Sequence, residues 1–151
     1  MNDYFERVKA FHLKYGFLFN EKPALIPIEL AGNRRSWLLE EIKELEEAEK
    51  KGDIVGIADA LGDIMYLTFG TAVCYGIPID SVFNEIDRSN MTKSQGDMKG
   101  KAVKGFDYVS PNLTFVKLSN PDEYPECFGE QSPECSITCE CYDECEKEVM
   151  K

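Results

Sequence analysis

A chain of 151 residues with a formal net charge of −11 and six cysteines has the length of one domain, and at this size roughly 68–70% of the unfolded surface is buried on folding. The acidic balance argues against a nucleic-acid partner. The opening residues Met1-Asn2-Asp3-Tyr4-Phe5-Glu6-Arg7 carry no apolar run of the secretory type, so a cytoplasmic protein is expected. Charge and cysteine are both uneven: residues 117–151 hold ten acidic and three basic side chains and five of the six cysteines. The composition therefore divides the chain into a domain over 1–116 and an acidic, Cys-rich tail over 117–151.

In chain order, Phe5, Val8, Phe11, His12 and Tyr15 recur at helical spacing behind the capping candidates Asn2 and Asp3, which predicts a first helix ending at Gly16. Residues 17–30, with Pro23 and Pro27, read as an extended connector. Asn33 is the expected cap of a second helix running to Lys51, with Leu38, Ile42, Leu45 and Ala48 facing inward and Gly52 as its stop. Asp53 starts a third, from Ile54 to Tyr75, that is apolar nearly all round. This stretch has the length of a membrane span, but Asp59 and Asp63 would each cost about 2.5–3.5 kcal/mol in a bilayer, so a buried helix of a soluble protein is expected and no membrane partner. One small bundle has little material to cover such a helix, which points to self-association. Asp80 is the expected cap of a fourth helix. Residues after Met91 read as a substrate-facing loop, and 113–118 as a short strand. Beyond Ser119 there is little to bury, and weak order is expected.

Two acidic clusters stand out. Glu40, Glu41 and Glu44 share one sector of the second helix, Asp59 and Asp63 share one of the third, and an antiparallel turn at Gly52 brings the two level. A Glu-rich run is ordinarily a solvated helix face with lysine partners. The aspartates are harder to explain that way, because they interrupt an apolar helix with no Lys or Arg within four residues, and buried unpaired carboxylates are rare. Two like charges about 4 Å apart repel by roughly 4 kcal/mol at an effective dielectric near 20. A hard divalent cation with oxygen ligands, Mg²⁺ or in its place Mn²⁺, removes that cost and keeps water for a phosphate to displace. Lys93, Lys101 and Lys104 follow the fourth helix, where cations would oppose charge on a leaving phosphate.

Several segments together resemble the all-α nucleoside triphosphate pyrophosphohydrolases, the MazG-like superfamily that includes phosphoribosyl-ATP pyrophosphohydrolase. They are Phe11-His12-Leu13-Lys14-Tyr15-Gly16, Arg34 with Leu38 to Leu45, Ile57 to Tyr66, Gly70-Thr71-Ala72, Ser89-Asn90-Met91-Thr92-Lys93, and Lys104-Gly105 with Tyr108 and Pro111. The resemblance covers about residues 3–113. It implies an antiparallel bundle of four to five helices completed as a homodimer or homotetramer. It also implies hydrolysis of a (d)NTP or modified NTP to a nucleoside monophosphate and pyrophosphate by metal-activated water. The family pattern, Glu-x-x-Glu then Glu-x-x-Asp, falls on Glu41, Glu44 and Asp63. Where many members have the third acid, this chain has Ala60, with Asp59 one residue earlier. By resemblance Glu41, Glu44, Asp59 and Asp63 are metal ligands, Glu40 and Glu41 serve the attacking water, and Arg34, Asn90, Lys93, Lys104 and Tyr108 contact substrate.

Trp37 reads as a core or dimer contact, Cys74 as a small core residue, and His12 is assigned no chemistry. In the tail, Cys135, Cys139, Cys141 and Cys145 form two i,i+4 pairs, a pattern for Zn²⁺ or an iron–sulfur cluster that competes with a disordered acidic segment. A different class of function stays open, a catalytically weak nucleotide- or metal-binding interaction module for which Ala60 speaks. Phosphoribosyl-ATP hydrolysis is a third reading, which the closing loop and the tail make less attractive.

Overall fold

The computed structural model describes residues 4–96 and 100–119. These residues belong to a compact unit, Met1–Leu118, except Ser119, with which a second unit begins. Asn2, Asp3 and the tail cysteines lie outside the described residues. The architecture is all-α: α1 Tyr4–Tyr15, α2 Ile28–Lys51, α3 Ile54–Tyr75 and α4 Ile79–Asn90, with one isolated bridge, Ser94 to Val103, as the sole β pairing among the described residues. The strand expected at 113–118 is absent. There the Asn112 side chain accepts from the Thr114 backbone N–H and hydroxyl, and this local turn competes with extended pairing.

The helix stops follow from glycine chemistry. Gly52 and Gly76 adopt φ +66° and +64°, and each donates its N–H to carbonyls of the last turn, the left-handed termination that costs other L-residues about 1–2 kcal/mol. Asp53 caps α3 as expected, accepting from Val55 and Gly56 N–H at 3.1 Å. The other starts differ from expectation. α2 begins five residues before Asn33, with Pro27 at the cap position, and α4 begins with Pro78 there and Asp80 inside its first turn. Proline sets a helix-compatible φ and has no N–H to leave unsatisfied, so it opens these helices without a polar side-chain cap.

α3 packs against α2 and α1. The connector between α1 and α2 is stitched to the end of α3: Asn20 N–H donates to Val73 O, Ala24 N–H to Tyr75 O, and the Asn20 amide to Cys74 O at 2.6 Å. Those contacts satisfy carbonyls that a helix end leaves free. Ile26, Ala31 and Cys74 form the buried cluster, with Leu30 and Tyr75 packed on it. The core is thin. Of the inward stripe expected on α2, Ala48 is buried but Ile42 is half exposed, and on α3 Ile54, Val55, Leu61 and Met65 are all exposed. α3 is also long and apolar enough, by length and composition only, to cross a membrane.

After α4 the chain folds back on that helix. Arg88 pairs with Glu85 at 2.8 Å and donates to Ser110 O, while Glu85 accepts from Asn112 N–H. Ser89, buried at the end of α4, donates to Val109 O.

Candidate active site

The turn at Gly52-Asp53 lays α3 back along α2, and the two acidic clusters face each other across it. Glu41 is where they meet. One of its carboxylate oxygens, Oε2, is closed off from solvent, and among the described residues it is the buried side-chain polar atom without a hydrogen-bond partner. Desolvation raises the Glu41 carboxyl above the usual glutamate range, and the charges of Glu44, Asp63, Asp59 and Glu40 raise it further. The other four acids thus all act on Glu41, a field that favours either a proton or a cation there.

Asp59 and Asp63 are exposed rather than buried. They lie on the side of α3 whose charge reaches Glu41, and among the described residues no element covers them. Ala60, beside Asp59, is buried at 3%, so that position is turned into the packing, while Asp59 is one of the charges that Glu41 feels. As the side chains stand, no three acidic, His or Cys groups among the described residues converge on one point to hold a metal. Like-charged carboxylates on neighbouring helix faces keep apart. The donor set is nevertheless all-carboxylate, suited to a hard cation, and the orphaned Glu41 oxygen is a ligand atom with nothing else to bind.

A second cluster forms beyond α4. Lys104 Nζ lies 5.0 Å from the centre of the Tyr108 ring. The Tyr108 hydroxyl is lowered below the usual phenol value, first by its hydrogen bond with Ser89, then by Ser110 and by the charges of Lys104 and Lys93. Lys93 and Lys104 therefore both lie near Tyr108. Asn90 is exposed and is the last residue of α4, with Met91 at the cap position. Lys101 is exposed to solvent.

Arg34 is not with the lysines. Its side chain is buried at 8% and spans from α2 to α3, where Nε donates to Thr71 Oγ1 at 3.1 Å and Nη2 to Leu67 O at 2.7 Å. His12 lies beside it, 3% exposed, with Nδ1 2.8 Å from Leu18 O. A carbonyl oxygen only accepts, so Nδ1 carries the proton. Cys74 is buried as expected, donating to the same carbonyl at 3.4 Å. A Cβ at Gly70 would overlap Arg34 Nη2 and sit 3.2 Å from His12 Nε2, so a side chain there would displace the guanidinium from its bond to Leu67 O. This group joins residues up to 62 positions apart and is not visible in local periodicity. On α2 the sequence signal is an arginine with apolar residues three and four positions away on either side, Leu30, Ala31, Trp37 and Leu38.

Pyrophosphohydrolases of this kind are typically dependent on a divalent metal. A search of curated proteins finds no match. The sequence pattern of the family described as phosphoribosyl-ATP pyrophosphohydrolase matches residues 8–90, which takes in α2, α3 and α4, both acidic clusters and the buried arginine. The chain belongs to the phosphoribosyl-ATP pyrophosphohydrolase family, within the MazG-like all-α nucleoside triphosphate pyrophosphohydrolases, and is a hydrolase acting on phosphoric anhydrides.

Proposed function

We propose that the protein is a Mg²⁺-dependent pyrophosphohydrolase that cleaves a (d)NTP or modified NTP to a nucleoside monophosphate and pyrophosphate. The observation that carries this reading is the unpartnered Glu41 oxygen inside the field of Glu40, Glu44, Asp59 and Asp63. Glu41, Glu44 and Asp63 would hold the ion, with Asp59 beside them. When bound, a divalent cation lowers the pKa of water and neutralises charge on phosphate oxygens. Glu40, exposed at the edge of the cluster, orients the attacking water and takes its proton. Lys93 and Lys104 oppose the negative charge that builds on departing pyrophosphate, and Tyr108 steadies Lys104 through its ring.

The exposed apolar side chains of α3 and the groove of about 560 Å³ between α1 and α3, lined by Tyr4, Val8, Phe11, Met65 and Phe69, support a homodimer or homotetramer. The test is pyrophosphate release from a panel of canonical and modified (d)NTPs with and without Mg²⁺. Glu41→Gln and Asp63→Asn should each lower turnover by about 100-fold, roughly 2.7 kcal/mol of transition-state stabilisation, while a chain ended at residue 118 keeps it. Absence of turnover with every nucleotide would sink the proposal.

A further inference from the structure

The acidic clusters are not held by packing of their own. Between Arg34 and Ala48 no residue of α2 is buried, and between Ala60 and Gly70 no residue of α3 is buried. Glu40, Glu41, Glu44 and Asp63 all fall inside those two stretches, and Asp59 borders the second. Toward the turn, the buried residues Ala48 and Ala60 anchor the two helices. Away from it the anchor is a charged side chain, Arg34, which is 8% exposed and rests against α3 at Gly70.

Such an anchor is chemically specific. Among the described residues no carboxylate pairs with Arg34, and burial lowers its pKa. A buried guanidinium without a counter-charge is unfavourable unless its N–H groups find acceptors. Here they find them on one turn of α3. Thr71 Oγ1 donates to Leu67 O at 2.8 Å, which leaves the hydroxyl oxygen to accept Arg34 Nε–H at 3.1 Å, while Leu67 O also accepts from Nη2 at 2.7 Å. The three groups close a ring of hydrogen bonds between the helices. Two donors in a fixed planar fork are needed for it, which is the geometry of arginine and not of lysine. Gly70 leaves the room, since a Cβ there would overlap Nη2.

Its position along the hairpin gives the contact its consequence. Arg34 is 18 residues before Gly52 and Thr71 is 18 after Asp53, so the two are level across the antiparallel pair. The acids lie between this contact and the turn. A helical hairpin fixed only at its turn is a lever: splaying it by roughly 5° would separate Glu41 from Asp63, about 16 Å along each helix, by about 1.4 Å. Metal–ligand distances are set to within about 0.2 Å, so a splay that small would undo a cation site. We propose that the Arg34, Thr71 and Leu67 contact is a rivet that fixes the spacing of α2 and α3 and so positions Glu41 and Glu44 against Asp63 for a divalent cation. Arg34 is then a positioning residue for the reaction rather than a substrate contact. The proposal rests on the metal-dependent hydrolase reading above.

The test titrates the full chain with Mn²⁺ alone, following the EPR signal of the free ion, and measures the urea midpoint of each variant in metal-free buffer. Thr71→Val keeps the shape but removes the hydroxyl, and should weaken Mn²⁺ binding about tenfold, as loss of a group that orients metal ligands does. Thr71→Ser keeps the hydroxyl and should bind as the native chain does. Arg34→Lys keeps the charge but loses the fork, and should also cost about tenfold; Thr71→Val serves if that variant does not fold. Val8→Ala, a core truncation on α1, should lower the urea midpoint and leave Mn²⁺ affinity unchanged.

Unchanged Mn²⁺ affinity in folded Thr71→Val or Arg34→Lys overturns the rivet, and turnover of a triphosphate by the native chain would then leave the hydrolase reading intact. A loss in Val8→Ala as large as in Thr71→Val overturns it too, because any loosening of the bundle would have the same effect. So does a Thr71→Ser chain as weak as Thr71→Val. The expected Mn²⁺ series in a chain that hydrolyses nothing supports the rivet and overturns the hydrolase reading instead. A native chain that binds no Mn²⁺ overturns the rivet whether or not it turns over a nucleotide.

Discussion

Glu41 is the residue on which the acidic face turns. Because the folded state raises its carboxyl, the ionised form costs stability: that cost is absent below the ordinary glutamate value and grows as pH rises through the raised one. Glu41→Gln should therefore move the urea midpoint upward at pH 7 without divalent metal, and leave it nearly unchanged at pH 4. A variant that loses turnover while gaining stability separates a site residue from a packing residue. The acids were legible in the sequence because helical period fixes which residues share a face. Their exposure was not, since period says nothing about what covers that face. The group of His12, Arg34 and Cys74 was hidden for a related reason: it is built from three segments, and Gly70, hemmed in by two of those side chains, shows their meeting only once the helices are in place.

At the level of elements, the segment after α4 is held at its far end by the Glu85, Arg88 and Asn112 cluster. The Arg88 side chain and the Asn112 N–H hold the Glu85 carboxyl down to about 2, well below its ordinary 4.5. Its contribution is complete above about pH 4.5, where the unfolded chain is also ionised, and is lost as pH falls toward 2, where only the unfolded chain has taken up the proton. Urea titrations between pH 6 and 2 should show this as an acid-dependent fall in midpoint that Glu85→Gln flattens. The helix ends illustrate how far sequence carries an element. Gly52 and Gly76 announced their stops, because left-handed termination is nearly a glycine monopoly; the starts at Pro27 and Pro78 were missed, because proline reads equally as a connector.

For the whole molecule, the thin core and the exposed face of α3 set the expectation. A 118-residue unit whose buried apolar residues are mostly Ala, Val and Cys has little stability to draw on alone, whereas a stable protein interface commonly buries about 800 Å² per partner. Sedimentation should find a dimer or larger species at micromolar concentration. The thermal midpoint should rise with protein concentration, as mass action requires when association and folding are coupled. A concentration-independent midpoint with a monomeric sedimentation coefficient would contradict this.

α3 runs unbroken from the Asp53 cap to Gly76, and it carries Asp59, Asp63, Tyr66 and the Gly70 cradle in a single register. Such a helix tolerates exchanges of side chain more readily than changes of length. One residue inserted between Asp63 and Tyr66 would rotate everything beyond it by about 100° and carry the Gly70 cradle away from the acids, although no side chain had been altered. An added residue should be better tolerated after Met91, where the backbone can absorb it without turning one face of α3 against the other.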